Sequence, residues 1–162
     1  MVSLTDLRRL LSWGPTRHPR PPIEPPPDPW PDTRRGARVL VEHPDPVWRW
    51  AARQRLESAG YEVATCGGPS VLPRGRCPLI AGEPCRALEG AEVVINGLGT
   101  RYAASRAVLE AVRAARPELP VIVELTQLQI RELDDVLPGC RVVRYPVGPV
   151  ELVREVEVAL RP

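Results

Sequence analysis

The 162-residue chain has no lysine and no phenylalanine, and only two histidines, four cysteines and one methionine. With lysine absent, all 22 basic residues are arginine. An arginine-only set suits bidentate and stacked contacts, and equally an ordinary solvated surface under a biased composition. Of the two histidines, His18 lies in a proline-rich stretch and His43 at the end of a short apolar run. No nucleophile–base constellation can be assembled around either, so an enzyme is the class least supported. Four cysteines in a chain of this length do not make a secreted disulfide scaffold. No apolar run reaches the length of a membrane-spanning helix. The first thirteen residues carry Asp6, Arg8 and Arg9 within their apolar pattern, unlike a secretory leader, so a cytoplasmic protein is expected. The formal net charge is only +2, which gives no electrostatic case for nucleic acid or a membrane surface as partner.

What is present is a hydrophobic fraction of 43%, enough for a sizeable core. The length suits one domain with an extension. Composition divides near Gly36. Nine of the 21 prolines precede it, and residues 1–36 hold six Arg against four acids, whereas 37–162 hold 16 of each. The stretch Pro15 to Pro31 is expected to be extended, because each proline fixes φ and removes a donor. Ahead of it Leu4, Leu7, Leu10 and Leu11 fall at helical spacing. A helix this short needs a surface to bury against, either its own domain or a partner. The chain is therefore read as an extension over 1–36 and a domain over 37–162.

From Ala37 the pattern becomes regular. Val39, Leu40 and Val41 read as a strand buried on both faces. Asp45-Pro46 then caps a helix with Trp48, Ala52, Leu56 and Ala59 on one stripe. Further strands are expected over Tyr61–Thr65, Ala91–Asn96, Pro120–Leu125 and Arg141–Tyr145. Helices are expected over Tyr102–Arg116, Gln127–Leu137 and Val150–Leu160. The alternation predicts an α/β, doubly wound, five-stranded parallel sheet of order 2-1-3-4-5, the flavodoxin-like arrangement, with a helix-poor loop in place of the second helix.

That loop, "CGGPSVLPRGRCPLIAGEPCRALEG", is broken by glycines and prolines, and only Cys85 to Leu88 is expected to turn. It carries Cys66, Cys77 and Cys85, with Cys140 far along. Three readings stand for these thiols. Cys77 and Cys85 could close a local disulfide, disfavoured in a reducing compartment. They could belong to a metal site, although the spacing lacks the usual CxxC pairs, so no metal is assigned. They could be ordinary buried thiols. A redox or metal sensor built on the Cys66–Cys85 loop is one alternative function. Another is a small-molecule or nucleotide site at the carboxyl edge of the sheet, where "NGLGTR" sets Gly97 and Gly99 near Arg101.

"RVLVEHPDP", "LESAGYEVAT", "AEVVING", "AVRAARPELPVIV" and "RYPVGPVELVREVEVAL", in this order and spacing, resemble the receiver domain of two-component response regulators over Arg38 to Leu160. The resemblance implies phosphoryl transfer to an Asp ending strand three, with an acidic pair after strand one helping to hold Mg²⁺. Here the acceptor place falls on Gly97, beside Asn96. The acidic-pair place falls on His43 and Pro44, leaving Glu42 and Asp45 as the nearest acids. Thr126 lies within one residue of the switch Thr, and Tyr145 precedes Pro146 where receivers carry Lys. The resemblance thus implies a pseudo-receiver without cofactor, acting through protein–protein contact with a partner or as a homodimer. Its contact face would be the last strand and flanking helices, with Arg131, Asp134, Asp135, Arg144, Tyr145, Arg154 and Glu155 as candidates.

Overall fold

A computed structural model describes residues 29–69, 77–99, 103–132 and 137–161. The leucines at 4, 7, 10 and 11, and the proline-rich stretch up to residue 28, lie outside the described residues. So do Asp134 and Asp135.

Five short runs of buried residues form strands: β1 (Arg38–Glu42), β2 (Glu62–Cys66), β3 (Val93–Asn96), β4 (Val121–Leu125) and β5 (Arg141–Arg144). They make one sheet of order β2-β1-β3-β4-β5, with every pairing parallel. The helices are α1 (Pro46–Ser58), α2 (Arg86–Gly90), α3 (Ala103–Ala115), α4 (Gln127–Glu132) and α5 (Pro149–Ala159). Parallel strands need crossovers, and these helices cover both faces. Strand alternation then divides the core in two. Val39, Val41, Val93, Ile95 and Ile122 pack under α1 and α5, against Ala52, Leu56, Leu152 and Val156. Leu40, Val94, Val121, Val123 and Leu125 face the other way, against Leu88 of α2 and Val108, Leu109 and Val112 of α3.

The element boundaries follow local chemistry. The Asp45 carboxylate accepts from Val47 N at 2.8 Å and from Trp48 N at 3.4 Å, and Pro46 occupies the first turn of α1, where its missing N–H does no harm. Between β2 and β3 the chain makes a turn over 78–82 and then the five-residue α2. Helix therefore starts one residue after Cys85 and runs two beyond the expected turn. Arg116 holds its end, donating to the carbonyls of Leu88 (3.4 Å) and Glu89 (3.2 Å).

Trp30 was not expected in the core. It is 6% exposed and packs with Leu88, Ala91 and Cys77. Its indole N–H is shared between the carbonyls of Arg86 and Ala87, each at 3.2 Å. Arg38 lies over the ring, 5.5 Å from its centre. Gly90 makes room: a Cβ there would come within 2.4 Å of the indole. The short α2 is thus held by an aromatic side chain from the segment that precedes β1.

Removing a buried tryptophan forfeits transfer free energy and leaves a cavity. Trp30→Ala should lower stability by about 3 kcal/mol or more in urea denaturation. Trp50→Ala, at a position 65% exposed, should change it by less than about 0.5 kcal/mol.

Candidate functional site

In an open parallel α/β sheet, the carboxyl edge of the strands is where functional groups gather. Here the last residues of β1 and β3, and the last but one of β4, are polar and shut away from water. Glu42 is 3% exposed, Asn96 1% and Glu124 4%. Register places Glu42 beside Asn96 on one side and Cys66 on the other, and Asn96 beside Val123. By alternation Glu42 and Asn96 share the face covered by α2 and α3, and Glu124 lies on the α1–α5 face.

The Asn96 amide donates to Glu42 Oε2 at 2.7 Å, while Asn96 Oδ1 has no partner. Burial pushes the Glu42 carboxyl up to about 7, and the Asn96 hydrogen bond only partly offsets this. A protonated carboxyl donates as well as accepts, and a donor is what Oδ1 lacks. On the opposite face Glu124 Oε1 accepts from Val147 N at 2.9 Å, in the connection from β5 to α5, and Oε2 is unpartnered. Burial raises the pKa of Glu124 as well.

His43 joins the Glu124 side. Its ring stacks on Trp48, with centroids 4.3 Å apart and planes at 21°. Its Nδ1 accepts from Asp45 N at 3.1 Å, which places the proton of the neutral ring on Nε2. Burial lowers its pKa. Arg49 donates to the carbonyls of His43 and Pro44. Between the two faces lies Gly97, whose N–H donates to Glu42 O at 2.7 Å. A Cβ on Gly97 would stand 2.6 Å from His43 Cδ2 and 3.1 Å from Glu124 Oε2. A side chain there would need His43 or Glu124 to shift.

The remaining sequence candidates fall elsewhere. Asp45 is exposed and caps α1. Thr126 caps α4: its N–H and hydroxyl both donate to Gln129 Oε1 at 2.8 Å, and Gln129 N returns a bond to the hydroxyl at 3.3 Å. That is a reciprocal capping box rather than a pocket contact. Tyr145 is half exposed, with its N–H on Leu125 O at 2.8 Å and a cis bond to Pro146. Arg144 reaches Gln127 at 2.7 Å, and Arg131 and Arg154 are exposed. Glu155, expected as a surface residue, is instead largely covered, its side chain 13% exposed and paired with Arg141.

Cys77 and Cys85 are not bridged; all four cysteines are free. Burial pushes the Cys66 thiol up to about 11 and raises Cys85 and Cys140, which leaves them protonated and poorly nucleophilic at neutral pH. Among the described residues no three His, Cys, Asp or Glu side chains group to hold a metal ion, and no helix is long and apolar enough to cross a membrane. Of the glycine loop after β3, Gly99 is described but Arg101 lies outside the described residues.

Among solved structures, the chemotaxis protein CheY4 of Vibrio cholerae superposes with a TM-score of 0.57 at 18% identity, over 77% of this chain and 99% of that one. A response regulator receiver domain protein from Clostridium thermocellum gives 0.58 at 20% identity, over 76% and 94%. NtrX from Brucella abortus gives 0.59 at 19% identity, over 77% of this chain and 27% of that one. The fold is that of a response-regulator receiver. No family model matches the sequence, and no curated protein does. Among the edge residues of this receiver fold, Glu124 escaped the sequence reading. The available signal was one acid inside the buried run "VIVEL", a position where charge is rarely tolerated.

A carboxyl whose pKa is raised by folding stabilises the fold fully below its unfolded value of 4.5, and that contribution is lost as pH rises toward about 7. For Glu42 the difference is on the order of 3 kcal/mol. Glu42→Gln should therefore be more stable than wild type at about pH 8, with the advantage vanishing near about pH 4.5. Urea denaturation across that range checks this; an advantage independent of pH would contradict it.

Proposed function

We propose that the chain is a receiver-like regulatory module that works without aspartyl phosphorylation, by contact with a protein partner. Gly97 carries this reading. At the acceptor place assigned by the resemblance there is no carboxyl group, and the space a side chain would enter is taken by His43 and Glu124. An acyl phosphate cannot form on glycine or on the neighbouring Asn96. The chain also has no lysine to sense a phosphoryl group from the place of Tyr145. The receiver fold itself supports a regulatory rather than a catalytic role.

The contact face in this reading is built by α4, β5 and α5. Leu128 (57% exposed), Tyr145 (49%) and Val142 (36%) stand open there beside Arg131 and Arg144. Exposed apolar groups rimmed by arginine are the composition of a binding surface. The protonated, unbridged thiols offer no comparable support for a redox sensor.

Incubation with acetyl phosphate and Mg²⁺, followed by intact-mass analysis, should show no phosphoryl adduct on the wild-type chain. A stoichiometric adduct would sink the proposal. Gly97→Asp should also stay unlabelled, and should be destabilised by about 1–3 kcal/mol through overpacking against His43.

A further inference from the structure

Helices α1 and α5 lie side by side on one face of the sheet. Each follows a strand of the parallel sheet and packs back along the same face, so the two run in the same direction. Both start at the carboxyl edge, at Pro46 and Pro149, and Glu157 near the end of α5 acts on Tyr61 just beyond α1. Together they form a two-helix platform, level from end to end.

Its outer surface is unusual in two ways. Val47 (70% exposed), Trp50 (65%) and Val150 (70%) are its exposed large apolar side chains. Trp is the residue most enriched at the centre of protein interfaces. The two helices also carry opposite charge. Beyond the Arg53–Glu57 pair, α1 carries Arg49 and Arg55, while α5 carries Glu151 and Glu157 against Arg154, its Glu155 being covered by Arg141.

We propose that the protein self-associates through this platform, about a two-fold axis running along the helices, so that α1 of one copy lies on α5 of the other. Such an axis keeps residues at their own level. Trp50 then meets Val150 and the Arg154 guanidinium of the second copy, an apolar contact with a cation–π component. Arg55 comes level with Glu157. Packing α1 on α1 would instead set arginine against arginine. The face beyond β5 is a poorer self-surface for the same reason, because Arg131, Arg141 and Arg144 would meet their own copies.

Size bounds the affinity. Helices of 13 and 11 residues are about 20 and 16 Å long and about 10 Å wide. The platform therefore offers on the order of 400 Å² per copy, roughly half of a standard interface. A weak, reversible dimer is expected, with Kd in the micromolar to millimolar range. This goes beyond the phosphorylation-independent reading and does not depend on it.

Sedimentation equilibrium of the full chain, from about 10 μM to about 1 mM, should pass from monomer toward dimer. Trp50→Glu should weaken association about tenfold or more with an unchanged thermal melt. Arg55→Glu and Glu157→Arg should each weaken it alone, and their equimolar mixture should associate as the wild type does. Only contact between copies restores both charge pairs in that mixture, since within each chain the like charges remain. A dimer indifferent to Trp50→Glu would overturn the proposal. So would a wild-type chain that stays monomeric throughout. In that case acrylamide quenching, read as the difference between wild type and Trp50→Phe because the chain has four tryptophans, tells which other occupant the face has. A Trp50 shielded from the quencher points to residues 1–28 of the same chain, and an open one to a different protein.

Discussion

A carboxyl group taken out of water destabilises a fold unless it is neutral or well hydrogen-bonded, and this sheet encloses two at its carboxyl edge. Glu42 and Glu124 sit at the ends of strands buried on both faces, so neither can turn outward without breaking register. Asn96 answers Glu42 with one hydrogen bond, and the Val147 amide answers Glu124 with another. The rest of the edge is arranged around these two bonds. His43 stacks on Trp48 and fills the space over Gly97, and Asp45 ties the His43 ring to the cap of α1.

This arrangement ties the buried edge to the outer surface. The Glu124–Val147 bond joins β4 to the connection leading from β5 into α5, next to the exposed Tyr145. Glu42 joins β1 to β3 and lies beside Cys66 in register, whose thiol burial keeps protonated. One buried polar contact thus ties β1 to β3 and the other ties β4 to the connection into α5.

The sheet and its order were legible because central parallel strands are buried on both faces and read as apolar runs, as in Val39–Val41 and Val93–Ile95. The α3 helix was legible over nearly its whole length from the spacing of Val108, Leu109 and Val112. The turn-rich stretch before α2 followed from its prolines and glycines. Other features carried little signal. Trp30 is a single aromatic in a proline-rich stretch, and no periodicity marks it as a core residue. Glu124 interrupts an apolar run once, and its partner is a backbone amide 23 residues away. Thr126 has the Thr-x-x-Gln pattern of a capping box, but its nearness to the switch place in the resemblance drew it into the pocket. Glu155 has surface spacing, and only the approach of Arg141 from β5 covers it.

The central claim is that the carboxyl edge of this receiver fold is closed to a phosphoryl group by its own side chains. Beryllofluoride with Mg²⁺ imitates an aspartyl phosphate without a covalent phosphodonor, so amide chemical shifts during its titration test the claim directly. Unmoved resonances for Glu42, His43, Asn96, Gly97 and Thr126 at saturating reagent are the predicted result. Saturable shifts centred on Gly97 and spreading to Tyr145 would contradict it.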